Sequence, residues 1–352
     1  MALWLPVSAP SVEAPALHVQ SRSALRARPS RGSSTPRSHR SPVQSAAVGF
    51  GLAAFARHSR AFRAARAQGS GASRSAVSLR AARIDTFLVP GKMDAGKLAM
   101  AVAPLAAHID LSCLCFFGLN VDPALIASVA GGALGIHGMC PVYIADCYGI
   151  IGWDKKEGKN VEMMEKGRGS EYGKPGGQGG EGVVVVAFRG KEHGGGGLHM
   201  VVKAHGKAEL EAVEEGVSYG GFAKACYKLE HSGDLVEVDE FVVSSSVPSA
   251  VVSFDGDDAK EVAAGTAKKL PGAATAAGYF PCFCRGYNKY EKDGVEPEAF
   301  AGSLEGVPLF GMFAHGELGP LKATGAVAVA AGEAPQTEHE QHSMTSILAL
   351  YA

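Results

Sequence analysis

Apolar residues along this chain come in short runs bounded by glycine and turn residues, with no long amphipathic repeat. Continuous apolar runs read as strands covered on both faces. These are 109–117 (IDLSCLCFF), 183–188 (VVVVAF), 251–254 (VVSF), 279–284 (YFPCFC), 307–313 (VPLFGMF), 325–331 and 345–350 (TSILAL). Residues 142–144 and 149–153 (GIIGW) predict two short strands about a turn, and 235–243 (LVEVDEFVV) alternates as a half-buried strand does.

Helical spacing appears over 91–107, 122–131, 258–270 and within 296–304. Asp122-Pro123 is a start signal with proline just inside the helix. Asp258 near one end and Lys268 and Lys269 near the other suit the helix dipole. Leu210, Val213 and Val217 give 207–231 a helical pattern too, weakened by Gly216, Gly220 and Gly221. Strands and helices mix without a strict βαβ beat. The expected class is α+β or mixed α/β, with mixed and partly antiparallel sheets. No internal repeat is visible.

Charge divides the chain. Residues 1–84 hold thirteen arginines, no lysine and one acid, Glu13, a net of +12; the remaining 21 basic and 34 acidic residues give 85–352 a net of −13. The leader is rich in Ser, Ala and Pro and too poor in apolar residues to fold. Arg-rich, Ser-rich, acid-poor composition is that of an organelle transit peptide. Pro and Ser near the start favour the plastid. The alternative is the mitochondrion, because 55–66 (FARHSRAFRAAR) would make an amphipathic helix. The competing account is a disordered basic tail that binds RNA or an anionic lipid surface. The acidic body is a poor nucleic-acid partner, since phosphate neutralisation needs a cationic surface. No stretch approaches the roughly 20 apolar residues of a membrane span. Seven cysteines form no regular framework, so reduced thiols are expected.

Several candidate sites can be weighed on the residues alone. The glycine loop 167–182 contains Gly173-Lys174, but Pro175 follows and no helix comes after it, so a surface loop accounts for it better than a phosphate loop. His193, His199 and His205, with Glu192, are spaced too widely for a helical zinc pair, and no metal or other cofactor is assigned. Cys113 and Cys115 on an apolar strand read as small core hydrophobes. Cys282 is less bland: it ends a strand beside Arg285 and Gly286, and a guanidinium nearby would lower its thiol pKa. Glu317, between Gly316 and Gly319, suggests a tight turn presenting a carboxylate to backbone or ligand donors, or to Arg285. His315 reads as a turn residue. No third group completes a catalytic triad.

Four motifs then line up: 280–286 (FPCFCRG), 307–313 (VPLFGMF), 316–320 (GELGP) and 342–350 (HSMTSILAL). In order and spacing they resemble the FIST domain (F-box and intracellular signal transduction), closest to the C-terminal FIST part of F-box-only proteins. A fainter likeness to its N-terminal part runs through 110–117, 145–152 (ADCYGIIG) and 183–187. The resemblance implies a leader over 1–84, an N-terminal-like part over 85–190, a short divergent middle over 191–250 and a C-terminal-like part over 251–352. It implies a sensory or recognition module that binds a small-molecule ligand such as an amino acid, or a protein partner, with no known reaction. Cys282, Arg285, Gly286, Gly311, His315, Gly316 and Glu317 are the ligand-site candidates. No F-box precedes the domain; the basic leader occupies its place. Cys284 stands where the family has glycine, so a left-handed turn there would be strained. The rival expectations are a thiol-dependent enzyme or redox protein using Cys282, and a structural subunit of an organellar complex.

Overall fold

A computed structural model describes residues 83–352 except 109, 134–139, 166–179, 191–196, 256–257 and 331–336. Residues 1–82 of the leader, most of the glycine loop 167–182, Glu192 and His193 therefore lie outside the described residues, while Arg83 and Ile84, expected to end the leader, begin a strand.

Three sheets organise the described residues. The first joins β1 (Arg83–Pro90), β6 (Gly182–Arg189), β2 (Leu111–Leu119), β3 (Val142–Asp146), β9 (Ala225–Leu229) and β10 (Leu235–Val238), in that order. The second joins β11 (Glu240–Ser245), β7 (Leu198–Ala204), β8 (Val217–Ala223), β15 (Glu317–Pro320) and β17 (His339–His342). The third joins β16 (Val327–Val329), β12 (Ser249–Phe254), β18 (Ser346–Tyr351), β13 (Ala276–Pro281), β14 (Leu309–Met312), β4 (Gly149–Asp154) and β5 (Lys159–Met164). Most pairs are antiparallel; β2–β3, β7–β8 and β13–β14 are parallel. The fold is sheet-rich and mixed, with few helices, as the apolar pattern predicts in outline. No described helix is long and apolar enough to cross a membrane.

The continuous apolar runs exist because their strands separate two cores. In β6, Val184, Val186 and Phe188 face a central core shared by all three sheets, while Val183, Val185 and Ala187 face the other way. There they meet Leu98 and Val102 of α1 (Ala95–Val102) and Ile126 of α2 (Pro123–Ser128). In β18, Ile347, Ala349 and Tyr351 face the central core, whereas Leu348 and Leu350 face a third core. That core is covered by α3 (Ala259–Ala267) and α5 (Val295–Phe300) through Ala263 and Phe300. Period-two alternation in a strand buried on both faces leaves no polar phase in the sequence. Cys113 and Cys115 both face the central core, their sulfurs 3.8 Å apart, as core cysteines.

Some segments depart from expectation. Residues 207–231 are not a helix: β8 and β9 occupy 217–223 and 225–229. Leu210 instead packs with Val201, Phe222 and Leu318 on the outer face of the second sheet. Sheet pairing of β8 with β7 and β15 overrides a local pattern that three glycines had already weakened. The strand expected over 235–243 is two strands in two different sheets. Strands β1, β5, β7, β15 and β17 had no counterpart in the sequence pattern.

Candidate functional site

The segment after β13 brings most of the sequence-predicted residues together. Cys282 forms a parallel bridge with Ala314, and its N–H donates to the Thr345 carbonyl at 2.8 Å. The Arg285 N–H donates back to the Cys282 carbonyl at 2.8 Å, closing a turn. The left-handed position is Gly286, at φ 55°, and not Cys284, so the strain expected of a cysteine there does not arise. A Cβ on Gly286 would fall 2.7 Å from the Phe313 ring. After Gly286 the chain enters α4 (Tyr287–Tyr290), then a turn, then α5.

Arg285 does not pair with Glu317. Its Nε donates to Oε1 of Glu296 at 2.8 Å, and Nη2 donates to the same oxygen. Nη1 donates to the carbonyls of Asp255 (3.1 Å) and Met344 (3.3 Å). Glu296 also accepts from the hydroxyls of Tyr290 (2.9 Å), Ser346 (3.0 Å) and Tyr279. Both members of the ion pair are 2% exposed. Buried charges persist where partners are complete, and this pair ties β12, β13, α4, α5 and the turn before β18 together. It is a structural knot with no donor turned toward solvent.

Cys282 and Glu317 form a second buried pair. Glu317 begins β15 and pairs with Gly221 of β8 and His342 of β17, so it lies inside a sheet and not at an exposed turn. The local glycines do signal a turn, at Gly316, but distant strands cover the carboxylate. Burial pushes Glu317 up to about 8, against the opposing pull of the Cys282 thiol, the Thr345 and Gly316 N–H groups and the Arg285 charge. Its Oε1 has no hydrogen-bond partner. Burial first, and then the Glu317 carboxylate, push the Cys282 thiol well above its usual range. The activated thiolate expected beside Arg285 is therefore not formed: the guanidinium charge is taken by Glu296, and the thiol faces a carboxylate instead.

The remaining candidates serve other contacts. The His315 ring stacks on Phe283, with centroids 4.6 Å apart, and lies 4.1 Å from His205. Gly311 is at φ 156°, and a Cβ there would overlap the Tyr279 carbonyl, so it permits the close parallel pairing of β14 with β13. Gly316 makes the turn into β15. Among the described residues no three His, Cys, Asp or Glu side chains are arranged to hold a metal ion. His199 is held in β7 by Ser244, 2.9 Å away.

Gly286 leads to a feature the sequence pattern did not flag. The atom nearest its free side other than the Phe313 ring is Oε2 of Glu162, 3.6 Å from where a Cβ would stand. Glu162 lies on edge strand β5, and its Oε2 accepts the Gly294 N–H at 2.7 Å. Its Oε1 has no hydrogen-bond partner, although the residue is only 6% exposed. Burial pushes Glu162 up to about 7, opposed by the Gly294 N–H and helped by the charges of Asp293 and Glu298. Glu162 is one of the residues around a cleft of about 610 Å³ between β5 and α5. Trp153, Pro297, Phe300 and Leu304 supply apolar walls; Asp293 and Glu298 add acidic groups. A lone acid in an otherwise apolar stretch (VEMM) is the one trace of this in the sequence.

Compared with models of known protein families and with curated proteins, the chain matches none.

Proposed function

We propose that this chain is a small-molecule-recognition module of the FIST type, without known catalytic activity. The observation that carries this reading is the cleft between β5 and α5. Its volume is in the range of small-ligand sites, and it combines apolar walls with a few convergent polar groups. The order and spacing of the four motifs that resemble the FIST C-terminal part support the FIST reading. Delivery to a plastid, with the mitochondrion as the alternative, rests on the composition of residues 1–84 alone. A thiol-dependent reaction finds less support, because Cys282 is buried and its thiol is held in the protonated form.

The test is a thermal-shift screen of the full chain against amino acids, amines, nucleotides, thiol metabolites and divalent metals. A ligand at a hundred times its Kd adds about 2.7 kcal/mol, seen as a rise in Tm. Ala301 lines the cleft at its exposed side, so Ala301→Trp should fill it without touching the core. We expect at least one stabilising compound whose effect disappears in Ala301→Trp. A screen with no hit, or hits indifferent to Ala301→Trp, would show that the cleft is not a ligand site.

A further inference from the structure

An edge strand offers unpaired N–H and C=O groups to any other strand, and natural edges are blunted by short length, charged side chains or proline. Most sheet edges in this chain are blunted in these ways. β16 has three residues and β10 has four. β1 carries Arg83 and Asp85 and closes on Pro90, β5 carries Lys159 and Glu162, and β17 carries Glu340 between two histidines. β11, at the edge of the second sheet, is different. Its six residues (EFVVSS) pair with β7 without a bulge, and they hold no proline and no charge after Glu240.

Alternation along β11 fixes what this edge presents. The Ala204 N–H donates to the Asp239 carbonyl at 2.8 Å, so residues 239, 241 and 243 exchange hydrogen bonds with β7. The N–H and C=O groups of Glu240, Val242 and Ser244 therefore point away from β7, and no described strand lies on that side. Their side chains stand on the exposed face, while Phe241, Val243 and Ser245 are buried. Glu240 and Ser244 already have partners in their own sheet: Lys203 lies 3.1 Å from Glu240, and His199 lies 2.9 Å from Ser244. Val242 between them is 37% exposed, one of four large apolar side chains left exposed among the described residues.

The row is symmetric about Val242, and that symmetry selects the occupant. When a second copy lies antiparallel with Val242 facing Val242, Glu240 of each copy falls opposite Ser244 of the other. All three outward residues then sit in hydrogen-bonded pairs, valine meets valine, and no like charges face each other. The neighbouring registers are worse. Centring on Glu240 sets carboxylate against carboxylate, and centring on Ser244 brings Pro248, which has no N–H, opposite Glu240. We propose that this chain forms a two-fold dimer through β11, with Val242 at the axis, joining the two five-stranded sheets into one continuous sheet. A single pair of strands buries less than the roughly 1,200 Å² of a standard interface, so the dimer is weak and concentration-dependent. It does not depend on the reading of the cleft.

The experiment is sedimentation equilibrium on the full chain from about 1 to 500 µM, the range in which a weak dimer dissociates. The wild type should move from one chain mass toward two as concentration rises. Val242→Lys and Val242→Glu each set like charges face to face on the axis, and each should weaken the dimer about tenfold or more. Mixed in equal amounts, the two variants set lysine against glutamate and should restore the dimer. Both should keep the wild-type Tm measured at low concentration, because Val242 is exposed and its backbone groups take no part in the pairing with β7. Val242→Thr, which keeps the branched shape and adds no charge, should dimerise like the wild type. A wild type that stays monomeric throughout overturns the proposal and leaves the edge to a strand of another protein. A dimer that both charged variants leave intact also overturns it, since the contact then lies elsewhere. Charged variants that stay monomeric when mixed overturn the pairing of Val242 with its own copy.

Discussion

Glu296 and Glu162 are both buried glutamates, and both meet the segment that runs from Cys282 to α5. They differ in their partners. Glu296 receives a guanidinium and three hydroxyls, and is closed. Glu162 receives one backbone N–H and has its other oxygen buried without a hydrogen-bond partner. Burial alone does not set the state of a carboxylate. The hydrogen-bond inventory does: a complete shell with a cation stabilises the ionised form, and an incomplete shell, as at Glu162 and Glu317, favours the protonated one.

The largest break in this comparison should come from the closed side. Arg285→Ala leaves Glu296 buried without its cation, and breaking a buried pair from one side costs about 3–5 kcal/mol. Urea unfolding of the full chain should register it. A loss below about 1 kcal/mol would mean that the knot is decoration.

The next effect lies on the open side and has the opposite sign. Glu162 is raised from 4.5 to about 7 in the folded chain, so between those pH values the folded state holds more proton than the unfolded one. Its contribution therefore falls as pH rises through that window and stays low above it. Glu162→Gln should be more stable than the wild type at pH 8, by on the order of 2 kcal/mol, and nearly equal to it at pH 4. The comparison holds Glu317 constant, which acts in the same direction up to about 8. A difference between the two proteins that is the same at pH 4 and pH 8 would show that Glu162 does not titrate as its surroundings require.

The smallest effect sharpens the closed side. Tyr290→Phe removes one of several donors to Glu296, and should cost about 1 kcal/mol in the same urea assay. If it costs as much as Arg285→Ala, the shell around Glu296 is not redundant and its partners act as one unit.

Part of the local geometry at the residues singled out along the chain is carried by the sequence. The turn at 282–286 is legible from Arg285-Gly286, and Gly286 does take the left-handed conformation. Gly311 and Gly316 are glycine because of close pairing and a turn. What could not be read was the partner of each charged group. The local pattern offers Glu317 as the partner of Arg285; Glu296, eleven residues on, takes that place because α5 packs onto β12 and β13 through Phe300. Glu162 stands 124 residues before Gly286, and its neighbour Asn160 reaches the backbone of Val307 and Leu309.

Strand runs buried on both faces, the places of four of the helices, the apolar cysteines and the division between a basic N-terminal segment and an acidic remainder all follow from the sequence by itself. These are local matters: periodicity, propensity and composition act within a few residues. The order of strands in three sheets, the burial of Glu317 inside one of them, the closed shell of Glu296 and the open one of Glu162 were decided only by the tertiary structure. A hydrogen bond or a pKa depends on which atoms meet in space, and chain separation places almost no limit on that.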